Sequence, residues 1–256
     1  MAKLNTWCDA AVSDVGAHKL HAITEKAGQL TVGRDELAAI LPGHYVTAEH
    51  LARVLRRRNK VKSAGIIEER LPQTTQLRSG DLGEILGTAF VNELTDYSIG
   101  INRLQWRDHR NMAMRGDDLI GFRVVDDELQ FLKGEAKSGA NMAAATITKA
   151  REGLSTFDER PSPHALLFLS EKYANAGYED LADRIDDAVL DKSIELEQVT
   201  HLLFTFTGNS VANLLTTALQ DYAGEVSQIA VNFQIPTHQA FIREVYETVI
   251  TNARKP

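Results

Sequence analysis

The sequence predicts a mixed α/β fold in which a central sheet is sandwiched between helices. Three observations predict it. Short apolar runs of strand length recur at 118–125, 128–138, 163–173, 199–208 and 227–235. Stretches with helical apolar spacing separate most of them. No internal repeat, low-complexity tract or long linker interrupts the 256 residues. That length suits one large domain or two small ones.

The elements follow in order. Residues 1–75 read as a mostly helical N-terminal region. In TAEHLARVLRRR, Thr47 is placed as an N-cap, with Leu51, Val54 and Leu55 on one face. GIIEERLPQTTQLRSG reads as a connector, and the composition shifts at Ser79. Residues 76–256 make the second division, with a core over about 79–170 and an α/β extension over 171–256. SGDLGEILGTAFVNEL is an amphipathic helix with Ser79 or Asp81 near its start; Leu82, Ile85, Leu86, Ala89 and Phe90 keep helical spacing. YSIGINRLQW (97–106) reads as a short strand and RDHRNMAMRG as a polar loop. DLIGFRVV and ELQFLKGEAKS are strands joined at Asp126-Asp127. NMAAATITKAREGLSTF is helical, and PHALLFLSEKY reads as a buried strand. YEDLADRIDDAVLD, SVANLLTTALQDYA (capped by Ser210) and PTHQAFIREVYETVITNA are helices, separated by the strands VTHLLFTFTG and SQIAVNFQI.

Composition narrows the classes of function. Hydrophobic residues make up 43% and charged residues 25%, as in ordinary globular chains. Cys8 is the only cysteine, which excludes a disulfide framework or a cysteine-rich zinc site. The start shows no basic-flanked apolar core and no run approaches a membrane span, so a cytoplasmic protein is expected. A net charge of −7 argues against bulk electrostatic coating of nucleic acid. It leaves room for an enzyme acting on nucleic acid, because metal-binding carboxylates lower the net charge. RVLRRRNKVK (53–62) is a local basic cluster that reads either as a phosphate grip or as a solvated helix end.

The chemistry concentrates in GDDLIGFRVVDDELQFLKGEAKSG (116–139), where strands carry acids they normally avoid. Residues two apart on a strand share a face, so Glu135 and Lys137 project together. Antiparallel pairing of the two strands would bring Asp118 to the same end of the hairpin as Glu135. Glu84 lies on the preceding helix. Two nearby carboxylates repel, and a cation removes the conflict. Mg²⁺ (or Mn²⁺) is often held by one or two carboxylates plus other oxygens. Asp118 and Glu135 would supply them, the backbone carbonyl of Ala136 would add another oxygen, and Glu84 would bind a second metal or hold a metal-bound water. The metal would make hydroxide available near neutral pH. Lys137 would orient the attacking water and offset charge on the phosphorus centre. The competing reading makes Asp117 and Asp118 a turn or cap and Glu135/Lys137 an edge ion pair. An acid-x-Lys tripeptide alone is a weak motif, but Glu135-Ala136-Lys137 is its only occurrence in the chain.

Asp118, Glu135-x-Lys137 and Glu84 on a preceding helix together resemble the PD-(D/E)XK nuclease superfamily. The helix–three-strand–helix–strand order over about 79–170 resembles its core. GDLGEILG, RGDDLIGF and KGEAKSG more narrowly resemble the HamA effector family of Hachiman antiphage systems. The resemblance implies a PD-(D/E)XK-like core with a helical N-terminal region and an α/β C-terminal extension. It implies catalytic roles for Glu135 and Lys137, metal binding by Asp118 (with Asp117 as the competing residue), and a supporting acid at Glu84. The superfamily's leading proline is absent, since Gly116-Asp117 precedes Asp118. It further implies DNA as substrate and a HamB-like helicase partner, in a heterodimer, that restrains the nuclease until DNA is sensed. The chain has no Gly-x4-Gly-Lys-Ser/Thr, so an ATP-driven step must come from another polypeptide.

Other residues carry secondary expectations. His18 and His21 would share a helical face, and ordinary surface histidines are the simpler reading. Arg107 and Arg110 would rim the metal site against the DNA backbone, and Lys149 and Arg151 would contact phosphates from the next helix. Trp7, Trp106, Phe204 and Phe206 read as core. Three functions follow: an antiphage DNA nuclease effector, a restriction- or repair-type endonuclease, and a non-catalytic adaptor that docks a helicase. The first 75 residues, helix 237–254 and the basic cluster are the candidate docking surfaces.

Overall fold

The computed structural model describes residues 1–57, 60–111, 116–190 and 193–254. A six-stranded mixed sheet runs through it in the order β1-β2-β6-β5-β4-β3. The N-terminal region is less helical than its sequence suggests. A short helix α1 (Leu4–Trp7) leads into the antiparallel hairpin β1 (Cys8–Val15) and β2 (His18–Glu25). Gly16, at φ +61°, makes its turn. Asp9 to Asp14 of β1 are exposed on both faces, so no alternating apolar pattern marks the strand. β2 pairs in parallel with β6 (Ser227–Gln234), which joins residues 18–25 to the central sheet.

Helices α2 (Leu30–Tyr45), α3 (Ala48–Arg57) and α4 (Lys60–Arg70) follow. The expected cap is present: Thr47 Oγ1 accepts the amide proton of His50 at 3.2 Å. Of the six basic residues in 53–62, only Arg53 has its side chain described. α5 (Thr75–Leu94) begins earlier than expected, because Thr74 caps it by accepting from Leu77 N at 3.2 Å. Ser79 and Asp81 are therefore buried inside the helix. Residues 97–106 do not form a strand. Ser98 makes a single bridge with Phe122, and Arg103–Trp106 is a 3₁₀ turn.

β3 (Leu119–Val125) and β4 (Glu128–Gly139) pair antiparallel, with Asp126 and Asp127 at φ +50° and +64° as expected of their turn. Helix α6 (Ala144–Leu154) covers the next connection. Residues 163–173 are not a strand but helix α7 (Pro163–Asn175). Pro163 sits at its first turn, and Ser162 Oγ accepts from Ala165 N at 3.3 Å. Only Leu166, Leu169, Ser170 and Tyr173 are buried, at helical spacing. After α8 (Glu179–Leu190) comes β5 (Val199–Thr207), parallel to both β4 and β6 and buried at every position. α9 (Ala212–Gln220) and α10 (His238–Arg254) complete the chain.

The sheet separates two helical layers. Leu132, Leu202, Phe204, Phe206 and Phe233 pack with α2, α5 and α10. Leu203 and Ala230 point the other way, towards α6 and α9. Phe122 and Phe131 meet α7 and α8. Trp7, Phe204 and Phe206 are core residues as expected, and α10 is committed to that core through Phe241, Val245 and Tyr246. Among the described residues, no helix is long and apolar enough to cross a membrane.

Candidate active site

β3 stops one residue short of Asp118, so β4 runs past it from Glu135 to Gly139 with one edge unpaired by a strand. Asp118 takes the place of a pairing strand there. Its Oδ2 accepts the Ala136 amide proton at 3.0 Å. Within a strand, a residue's N–H and C=O face the same edge, so the Ala136 carbonyl also faces the site. Glu135 and Lys137 share the α6 face, and the Lys137 ammonium donates to Glu135 Oε2. The same ammonium lies 3.9 Å from Asp118 Oδ2. Glu84 reaches the edge from α5, in the opposite layer.

Arg103, which no sequence pattern marks, joins them. Its Nε lies 3.6 Å from Glu84 Oε2 and its Nη2 lies 4.0 Å from Asp118 Oδ1. Its Nη1 donates to the Asp117 backbone carbonyl. Three carboxylates thus face two cations. The side chains of Glu84, Arg103, Glu135, Asp118 and Lys137 keep 16–25% of their surface exposed. That leaves them reachable from solvent yet poorly hydrated. Burial, then the Asp118 charge, pushes Glu135 up to about 7 against the pull of Lys137. Burial likewise pushes Glu84 up to about 8; Arg103 opposes it, and Asp118 and Asp81 add to it.

Asp117 faces elsewhere. Its Oδ2 accepts from Ser162 N at 2.8 Å, and its Oδ1 lies 3.8 Å from the buried Lys133 ammonium. Lys133 also donates to the Thr156 carbonyl at 2.6 Å. Adjacent residues thus divide the work: Asp117 anchors the α6–α7 loop and Asp118 faces the site.

The residues present suit a hard divalent cation. Every available donor is an oxygen, from Asp118, Glu135, the Ala136 carbonyl and Glu84. Glu84 Oε2 is buried without a hydrogen-bond partner, as a vacant ligand oxygen would be. Among the described residues, no group of three or more His, Cys, Asp or Glu side chains is already gathered to hold an ion. Mg²⁺ needs only one or two carboxylates, so Asp118 and Glu135 suffice.

The expected DNA contacts fare differently. Arg107 is 7% exposed and holds Asp81 through Nη2 at 2.5 Å and Nη1 at 2.8 Å. A buried, bidentate ion pair occupies its fork, so it does not rim the site. Arg110 pairs with Glu69 at 3.2 Å. Arg151 donates to Gln228 and lies over the Tyr222 ring at 4.5 Å. Lys149 is exposed on α6. His18 and His21 lie on a strand, not a helix, and three residues apart they point to opposite faces: His18 meets Tyr222 and His21 meets Phe90.

A family model described as HamA matches residues 3–249 of the sequence. No curated protein matches it.

Proposed function

From the HamA family of Hachiman antiphage components, to which this chain belongs, we propose that it supplies a metal-dependent deoxyribonuclease of the PD-(D/E)XK type. The observation that carries this reading is the convergence of Asp118, Glu135 and Lys137 on the unpaired end of β4, with Asp118 bound to the Ala136 amide. Bound Mg²⁺ or Mn²⁺ would acidify water and neutralise charge on the phosphodiester. Asp118, Glu135 and the Ala136 carbonyl would hold it, with Glu84 behind them.

The chain's own groups do the rest. The Ala136 amide fixes the Asp118 carboxylate, so its geometry is set before substrate arrives. Glu135 and Asp118 together hold the Lys137 ammonium, which orients the attacking water and stabilises negative charge building on the phosphate oxygens. Arg103 lies within 4.0 Å of both Glu84 and Asp118 and offsets the negative charge they bring together.

The partner is a HamB-type helicase bound as a heterodimer. It restrains the nuclease until it meets damaged or invading DNA, and release permits indiscriminate degradation. The chain's net charge of −7 suits an enzyme that relies on a partner to engage DNA. The test is plasmid and single-stranded DNA incubated with the purified chain in Mg²⁺ or Mn²⁺ and in chelator. Metal-dependent smears that vanish in Glu135→Ala and Lys137→Ala support the reading. Discrete fragments would favour a sequence-specific endonuclease, and full activity in both variants would remove the proposal.

A further inference from the structure

A cavity of about 490 Å³ opens beside Glu84 and Asp118. It lies within the size range of small-molecule sites. Its walls are apolar, formed by Ile99, Ile101, Leu104, Ile120, Phe168 and Leu169. Of its charged groups, Glu84, Asp118 and Arg103 belong to the site already described, and Asp117 is the residue held by Ser162 and Lys133. Further polar side chains in the lining are His44, Thr88, Asn102, Ser162 and His164; the Thr88 hydroxyl donates to the Glu84 carbonyl at 2.9 Å. Asn102 donates to the Gly43 carbonyl at 3.3 Å, and Ser162 Oγ accepts from Ala165 N.

At the rim stands Phe157, a large ring 56% exposed. Phe157, Asp158 and Glu159 have φ values of +55°, +51° and +67°. Three consecutive left-handed residues without glycine are costly, and such strain accumulates where function requires it. The loop therefore holds an aromatic face towards solvent at the cavity mouth, at a conformational cost.

The occupant follows from this chemistry. Acidic side chains (Glu84, Asp117 and Asp118) outnumber the single guanidinium of Arg103 in the lining, which disfavours an anionic occupant. Apolar walls penalise a charged side chain that would leave water unpaired. A flat, neutral heteroaromatic ring meets neither penalty and can stack on Phe157 and Phe168. A phosphodiester seated at Asp118 and Glu135 carries such rings on both sides. A paired base is stacked above and below, and enters a lateral cavity only by leaving the duplex.

We infer that this cavity takes one unstacked nucleobase of the substrate strand, with Phe157 stacking at the mouth, so that the chain cuts single-stranded DNA in preference to paired DNA. The inference rests on the nuclease reading for its substrate, but the cavity can be probed without catalysis.

The test uses thymidine, a neutral nucleoside, titrated into the full chain in chelator. Trp106 reports on the cavity, since its ring meets Phe168 edge-on at 5.9 Å. Thymidine should change Trp106 fluorescence in the wild type and not in Ala165→Phe, which fills the cavity. In Mg²⁺, both Ala165→Phe and Phe157→Ala should lose roughly tenfold in kcat/KM on single-stranded DNA, the worth of one stacked base. Phe157 is exposed, so its replacement leaves folding intact even if the filled cavity does not. No fluorescence response to thymidine overturns the inference, as does wild-type cleavage of single strands by both variants. Should those variants cut normally but lose a bound helicase, the occupant is a protein and the inference is again overturned. Should the wild type cut no DNA while thymidine still binds and Ala165→Phe abolishes that binding, the cavity assignment stands and the nuclease reading falls.

Discussion

The Asp118 carboxylate accepts the amide proton of Ala136 at 3.0 Å, while Asp117, one residue earlier, accepts from Ser162 and faces buried Lys133. The pair Asp117-Asp118 therefore separates stability from chemistry at adjacent positions. Asp117→Asn strips the counter-charge from a lysine whose side chain is 1% exposed. Breaking a buried pair on one side costs about 3 kcal/mol. Asp118→Asn keeps an oxygen for the Ala136 amide and relieves repulsion with Glu84 and Glu135. Denaturant unfolding should show the loss in Asp117→Asn alone, and DNA cleavage should disappear in Asp118→Asn alone. The reverse pattern would exchange their roles.

Glu84 makes stability depend on pH. Its carboxyl is raised from the ordinary 4.5 to about 8, mainly by burial. Between those values the native state binds a proton that the unfolded chain has released. Stability therefore falls as pH rises through that window and is unaffected below it. Glu84→Gln removes the effect. In chelator at pH 9 it should be more stable than wild type by roughly 2 kcal/mol, allowing half the shift. For a chain of this size that is about 4–8 °C in Tm. At pH 4 the two should melt together. Equal melting at both values would show that Glu84 is not held out of water.

Much of this site was legible because it violates strand propensity. Acids and a lysine at Glu135 and Lys137 stand where strands normally place apolar residues, and the period of two put them on one face. Arg103 was not legible, because a residue in a 3₁₀ turn belongs to no periodic pattern. The errors in the fold have equally local causes. Residues 163–173 are an apolar run that strand and helix templates fit alike; Ser162-Pro163 was the helix-start signal that should have decided it. β1 carries no legible strand signal, because its exposure on both faces erases alternation. RDHR looked like a basic loop, since nothing in the sequence shows that Asp81 lies beside Arg107 in space.

Arg107 gives that last point a measurement. It binds Asp81 within a network in which Tyr45 also donates to Asp81 at 2.6 Å. Arg107→Ala leaves a carboxylate buried and unpaired, at a cost of about 3–5 kcal/mol. A phosphate contact would instead leave stability unchanged and reduce the salt slope of DNA binding by about one. Thermal melts should show the large loss, and the salt slope below the melting range should match wild type.

Gly153 offers the sharpest separation of fold from function. It lies in the last turn of α6, and a Cβ built there would collide with the Glu135 carboxyl, Oε1 and Cδ included. The obstructing atoms are the far end of a flexible side chain, so the collision is relieved by moving Glu135 and not the backbone. Alanine is also the better helix former, by roughly 0.5–1 kcal/mol. Gly153→Ala should therefore melt at or slightly above the wild-type temperature. The displaced Glu135 would lose its position beside Lys137 and Asp118, and small misplacements of catalytic groups cost on the order of 100-fold in rate. DNA cleavage should fall by about that factor while circular dichroism and melting stay native. If Gly153→Ala cleaves DNA at the wild-type rate, the position of the Glu135 carboxyl is not what sets the activity.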